Sequence, residues 1–261
     1  MVDSNGLLQE SRPPRVGLLV TCLADLIRPR LGFAAIRLLE ASGCEVEAPF
    51  SQTCCGQPAF NAGAMKAAAY FAREMITQFE QYDYVVTPSG SCAATIKVHY
   101  AEVLADDPNW LARAQALAAK TWELLSFLVH VRKYKPEGVT LKATATYHDS
   151  CSGLRELGIY EEPRSLLAAV EGLELKPLPG QGACCGFGGT FSVKYPSISN
   201  AITKEKAKAV EASGADLLLG GDLGCLMNIA GKLSRQGSKV RAMHAAEVLA
   251  GMSDTAMGEE E

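Results

Sequence analysis

Two short stretches, TCCGQP (Thr53–Pro58) and ACCGFGG (Ala183–Gly189), each set two cysteines side by side with a glycine after them. Adjacent thiols close only a strained disulfide ring, and structural thiols gain nothing from being neighbours. The pairs therefore point to chemistry. Cysteine acts through its thiolate, both as a metal ligand and as a nucleophile toward disulfides. The chain of 261 residues carries nine cysteines, at 22, 44, 54, 55, 92, 151, 184, 185 and 225. Its polar start, MVDSNGLLQESRPPR, is not expected to act as an export signal, so metal binding or redox chemistry outranks a disulfide framework. The odd total also prevents all nine from pairing within one chain.

Eight of the nine form two sets of four at nearly one offset. Cys22 to Cys151 spans 129 positions, Cys54 to Cys184 and Cys55 to Cys185 span 130 each, and Cys92 to Cys225 spans 133. Gly43 lies 21 positions after Cys22, as Gly172 does after Cys151. GCEVEAP aligns with GLELKPL. A tandem duplication explains this register. It sets Cys44 opposite Leu173, which makes Cys44 a small buried hydrophobe rather than a ligand.

The elements that must position these thiols follow from hydrophobic pattern and breakers. Val16–Val20 reads as a strand with Cys22 just beyond it. Pro29 opens a helix to Ala41 that Gly43 stops. Val46–Phe50 reads as a strand, Ala62–Tyr82 as a long helix, and Tyr82–Pro88 as a strand leading to Cys92. The second half repeats the order: Leu141–His148, Cys151, a helix around Arg164–Val170, Leu173–Leu178, the second pair, a helix around Ser197–Ser213, Ala215–Gly221 and Cys225. Asp106–Val131 reads as helical, with Trp110 and Trp122 as packing residues, and Lys133–Gly138 as the boundary turn. The expectation is an α/β chain of two tandem duplicated parallel-sheet αβ halves related by pseudo-twofold symmetry. The units are expected at 15–137 and 138–251, with polar, mobile tails at 1–14 and 252–261. Residues just after parallel strands collect at one sheet edge. Cys22, Cys54, Cys55 and Cys92 should therefore converge, as should Cys151, Cys184, Cys185 and Cys225.

Four converging thiolates suit an iron–sulfur cluster or a tetrahedral zinc ion. The long spacings depart from the close C-x2-4-C pairs of zinc ribbons and from ferredoxin runs, so a preformed fold must bring the ligands together. Gly56 and Gly186 permit positive φ and a close backbone approach to a cofactor. The order C-x31-CCG-x35-C then C-x32-CCG-x38-C resembles the cysteine-rich CCG domain family. That family includes the CCG-bearing component of heterodisulfide reductase and the iron–sulfur subunits of glycolate oxidase and anaerobic glycerol-3-phosphate dehydrogenase. TCCGQPAFNAG, TPSGSC, TYHDSCSGLRELGI, CCGFGGTFSVKYP and GGDLGCLMNIAG look closer still to the small iron–sulfur subunits of L-lactate oxidation complexes. The resemblance covers about residues 15 to 250 and implies up to one [4Fe–4S] cluster per half, held by the eight paired cysteines. It also implies partner subunits, among them a second iron–sulfur protein, and a role in passing electrons from L-lactate or a similar 2-hydroxy acid. Many members end in C-x-x-C. Here Ser89 and Asp222 stand at the earlier position, where either could offer an oxygen ligand.

Composition narrows the alternatives. The net charge of -4 and the lack of a basic stripe argue against nucleic acid. No apolar run reaches the roughly 20 residues of a membrane span, so the expected location is cytoplasmic, with any membrane attachment through partners. GFGG (Gly186–Gly189) fits neither nucleotide loop, since Phe191 replaces the last glycine of G-x-G-x-x-G. His148 could move a proton, support a cluster or be structural. His99, His130 and His244 are expected to be structural. Arg28, Arg30, Arg155 and Lys194 lie near the cysteine edges and could hold a substrate carboxylate. A zinc-stabilised scaffold and a thiol–disulfide reductase subunit remain the alternatives.

Overall fold

The computed structural model describes residues 12–180 and 182–259. The expected tail at 1–14 falls mostly outside them. The first half runs β1 (Arg15–Leu18), α1 (Cys22–Ile27), α2 (Arg30–Ala41), β2 (Glu45–Glu47), α3 (Gln57–Asn61), α4 (Met65–Phe79), β3 (Tyr84–Thr87) and α5 (Gly90–Ala94). A π-helical turn at Thr95–His99 joins α5 to α6 (Tyr100–Val103). Then come α7 (Pro108–Lys120), β4 (Thr121–Glu123) and α8 (Leu124–His130). The second half runs β5 (Thr140–His148), α9 (Cys151–Arg155), α10 (Glu161–Leu167), β6 (Glu171–Lys176), α11 (Phe191–Lys194) and α12 (Pro196–Ala212). It ends with β7 (Leu217–Gly220), α13 (Leu223–Arg235), β8 (Arg241–His244) and α14 (Ala245–Leu249).

Each half holds a four-stranded, all-parallel sheet, in the order β2-β1-β3-β4 and β6-β5-β7-β8. The matched order is the duplication in three dimensions. Strand alternation divides the interior. Val16, Leu18, Val86, Ala145, Leu217 and Leu219 face one core shared by both halves, which α2, α8, α10 and α14 complete. Leu19 and Val85 turn the other way, into a core of the first half with α4 and α7. Leu218 does the same in the second half, with α12 and α13. On α2 the buried set Leu31, Ala34, Ala35, Leu38 and Leu39 repeats at helical spacing. Gly43, at φ +80, takes the left-handed turn that ends this helix.

Several elements differ from expectation. The strand expected at Val46–Phe50 is only Glu45–Glu47, because beyond it Gln52 Oε1, not a ladder, accepts from Val20 N–H. The long helix begins at Met65, since Gly63 at φ +73 breaks it from α3. The helix expected over Asp106–Val131 is cut by β4, where β-prone Thr121 and Trp122 pair with Val85 and Val86. The fourth strands β4 and β8 are additions to the expected sheets. Residues 252–259 also differ from the expected mobile tail. Arg28 donates to the carbonyls of Thr255 and Ala256, Arg30 donates to that of Met252, and Ala256 is buried. No helix among the described residues is long and apolar enough to cross a membrane.

Candidate metal centre

The parallel sheets bring the cysteines to one edge in each half. Cys22 and Cys151 are the first residues of α1 and α9, and Cys92 and Cys225 sit in the first turns of α5 and α13. Helix N-termini favour negative charge, so all four places suit thiolates. The CC pairs lie in the loops after β2 and β6. Sulfur–sulfur distances are 3.8 Å for Cys22–Cys54, 3.4 Å for Cys55–Cys92 and 3.0 Å for Cys185–Cys225. All eight thiols are free and line a single cavity of about 370 Å³, so the two quartets face the same space. Cys44 is buried in the shared core, away from it.

The thiols share protons unequally. Contact with the Cys22 thiol, then with Cys55, then the Gly56 N–H (3.5 Å) pulls Cys54 down to about 3. Cys151, Cys185 and the Gly186 N–H (3.3 Å) pull Cys184 down to about 2. Their neighbours move in the opposite direction. Hydrogen bonding to these thiolates, then burial, raises Cys22 and Cys151. Cys55 and Cys185 rise for the same reasons, with the partner thiols Cys92 and Cys225 adding to it. At Cys225 the contact with Cys185 pulls down most strongly, but burial together with the charges of Asp222 and Cys184 outweighs it and the thiol is raised. One low thiol in each quartet beside several raised ones is a donor set that releases protons when a cation arrives.

Side chains that sequence reasoning missed fix the loops. Tyr100 O–H donates to the Cys55 carbonyl at 2.7 Å. Asn228 Nδ2 donates to the Cys185 carbonyl at 3.0 Å, and Thr203 Oγ1 lies 3.0 Å from the same oxygen. Gly186 has φ +83, and a Cβ there would lie 2.6 Å from Thr203 Oγ1 and 2.7 Å from Ser199 O. Close packing of α12 thus demands this glycine, rather than room for a cofactor alone. Gly56, at φ +87, meets Phe71 in the same way at 3.0 Å.

Ser89 and Asp222 hold corresponding places as N-caps of α5 and α13, and they meet each other. Ser89 O–H donates to Asp222 Oδ2 (3.2 Å), which also accepts from the Ser91 N–H (3.0 Å). Ser89 Oγ accepts from the Cys92 N–H. Both side chains are buried and bridge the two halves.

His148 ends β5 and is buried, and neither ring nitrogen has a hydrogen-bond partner among the described residues. Burial, then the nearby Lys206, holds it down to about 3, in the neutral form. Lys206 on α12 is itself buried and its ammonium is destabilised by that burial. The corresponding first-half position, three residues before Cys22, is Leu19. His99 lines the cavity, but its Nε2 is 2.9 Å from Glu156 and its ring stacks on Phe60. His130 pairs with Glu162, and His244 caps α14 by accepting from the Ala246 N–H.

The four candidate cations do not reach the cavity. Arg28 is buried against Glu247 at 2.8 Å, and Arg30 meets Glu247 and Asp254. Arg155 donates to the Gly182 carbonyl, and Lys194 is exposed on α11. No lysine or arginine lines the cavity among the described residues.

Comparison with known proteins agrees with this geometry. A family profile described as the cysteine-rich domain, CCG, matches residues 16–97 and again 145–230. Each match contains one quartet. Lactate utilization protein A of Bacillus cytotoxicus is 51% identical over 235 residues, covering 90% of this chain and 98% of that protein. Its namesake from a Geobacillus species is 52% identical over the same share of both. Among solved structures, a hypothetical protein from Helicobacter pylori superposes with a TM-score of 0.66 at 12% identity. The match takes in 95% of this chain but 52% of that one, so the chain spans about half its length and shares the fold alone. With two quartets on two matched sheets, and relatives half identical over nearly their full length, the chain belongs to the CCG cysteine-rich domain family, alongside the lactate utilization A proteins.

Proposed function

We propose that the chain is the electron-transferring subunit of a cytoplasmic complex that oxidises L-lactate or a similar 2-hydroxy acid. Its two units, 15–137 and 138–251, would each hold an iron–sulfur cluster, most simply [4Fe–4S]. The observation that carries this reading is one cavity lined by all eight paired cysteines and, among the described residues, by no lysine or arginine. A cavity that bound a carboxylate substrate would want a cation, most often arginine. The oxidation itself is therefore assigned to a partner subunit, and lactate as the substrate follows the relatives' name, lactate utilization protein A.

The donor set fits the proposed group. A zinc–sulfur bond of about 2.3 Å sets tetrahedral sulfurs about 3.8 Å apart. Among the described residues, the one trio of candidate ligand atoms within 4.8 Å of each other is His148, Cys185 and Cys225. The eight thiols supply two four-cysteine donor sets, as two such clusters require. When bound, such a cluster accepts and passes single electrons. The protein supplies the rest. Cys22, Cys54, Cys55 and Cys92 would hold one group, and Cys151, Cys184, Cys185 and Cys225 the other. Gly56, Gly186 and Phe187 aim N–H groups at cysteine sulfurs, which stabilises negative charge there.

The test is anaerobic reconstitution of the full chain with a count of iron and sulfide, followed by electron paramagnetic resonance of the reduced protein. Two cluster signals with matching iron and sulfide support the reading. Fewer than about three irons per chain without a cluster spectrum overturns the two-cluster version. Zinc without sulfide would mark a scaffold. Dithiol turnover by metal-free protein would mark a disulfide reductase.

A further inference from the structure

We infer that His148 is a direct metal ligand of the second quartet, so that the two centres differ: sulfur alone in the first, sulfur and imidazole nitrogen in the second. The inference rests on the reading that the quartets hold metal. Three observations carry it. The imidazole is 1% exposed, and neither of its nitrogens finds a hydrogen-bond partner among the described residues. A buried histidine normally engages at least one nitrogen with a carbonyl or carboxylate, which fixes its tautomer. Next, a ligand atom of His148 and the sulfurs of Cys185 and Cys225 all lie within 4.8 Å of one another. Finally, the matching position of the first half is Leu19, fully buried in an apolar core. The fold itself therefore has no need of a polar group at that point.

An imidazole adds no negative charge, unlike a thiolate. His148 adds to four thiolates rather than replacing one, so the two centres differ in donor atoms at equal thiolate charge.

The experiment uses the reduced, metal-free full chain under argon, titrated with Co²⁺ alone. Cobalt reports thiolate ligation by charge-transfer absorption, and imidazole ligation by a strongly shifted N–H proton resonance that disappears in D₂O. Wild type should show that resonance. His148→Leu, which copies the residue at Leu19, should lack it and bind cobalt at the second quartet at least about tenfold more weakly, with binding at the first unchanged. A wild type with no exchangeable imidazole resonance, or without cobalt at the second quartet, overturns the inference. So does a His148→Leu variant with wild-type spectrum and affinity. The wild-type resonance needs no variant to fold, and circular dichroism of His148→Leu checks the rest. Because this readout does not require a cluster to assemble, the iron and sulfide count can fail separately from it.

Discussion

At the scale of single residues, the two CC pairs solve a problem of direction. Neighbouring residues in an extended loop point apart, so one cysteine of each pair joins the thiol at the first strand and the other the thiol at the third. Cys54 meets Cys22 while Cys55 meets Cys92. Replacing Cys185 by serine is expected to remove one metal centre and spare the other. Iron should fall by about half, with the first-half spectrum intact, because each quartet is fed by its own sheet. Loss of both signals would show instead that the quartets act as one site. The convergence of the eight cysteines on one cavity was legible in the sequence because nearly one offset repeats them. Tyr100 was not, because it reaches Cys55 from eight positions beyond Cys92 across a π-helical turn. That turn shifts the helical register, and no periodic pattern announces it. Asn228 and Thr203 were hidden for a similar reason, since a polar residue on a helix face carries no mark of the carbonyl it will hold.

At the scale of elements, the sheets were legible where strands are long enough to show an apolar run and are followed by glycine or a cysteine. The fourth strands were not. TWE in β4 has three residues and lies between helical stretches, so its strand character comes from pairing with β3. Glu123 ends β4 and caps α8, accepting from the Ser126 N–H at 2.9 Å, while its other oxygen has no hydrogen-bond partner among the described residues. Burial is the main cause that pushes its carboxyl up to about 7. A carboxyl raised in the folded state favours folding below its unfolded value of about 4.5, and that contribution is lost as pH climbs through 7. Wild-type stability should therefore decline between about pH 4.5 and 8, by on the order of 3 kcal/mol for a shift of this size. Glu123→Gln should flatten that slope and be the more stable protein at about pH 8. Denaturant titrations across that range measure both, and parallel slopes for the two proteins would refute the assignment.

Over the whole molecule, the halves are held by a shared apolar core and by a few buried polar links. Arg28 is the most consequential of these. It spans from α1 to Glu247 on α14 and also holds the carbonyls of Thr255 and Ala256. Removing one partner of a buried pair leaves the other charge without compensation. Arg28→Ala is expected to cost about 3 kcal/mol or more, tempered by Arg30, which also reaches Glu247. The loss should appear in the unfolding midpoint, and protease sensitivity should rise near residue 255. A change under about 0.5 kcal/mol, as for an ordinary surface substitution, would contradict the role.

The contact between Ser89 and Asp222 has an evolutionary reading. In an assembly of two identical halves, a residue at the dyad meets its own copy, so the pair could only be serine with serine or aspartate with aspartate. Two buried carboxylates would repel, whereas a serine hydroxyl opposite a carboxylate donates to it. Once both halves shared a chain, each side of the dyad could change alone. The present pair thus records divergence after fusion and commits each half to the other. Severed at the boundary turn and produced together, 12–137 and 138–259 should associate as a one-to-one heterodimer. Sedimentation of the mixture would show this, and a preference of either half for its own kind would argue against it.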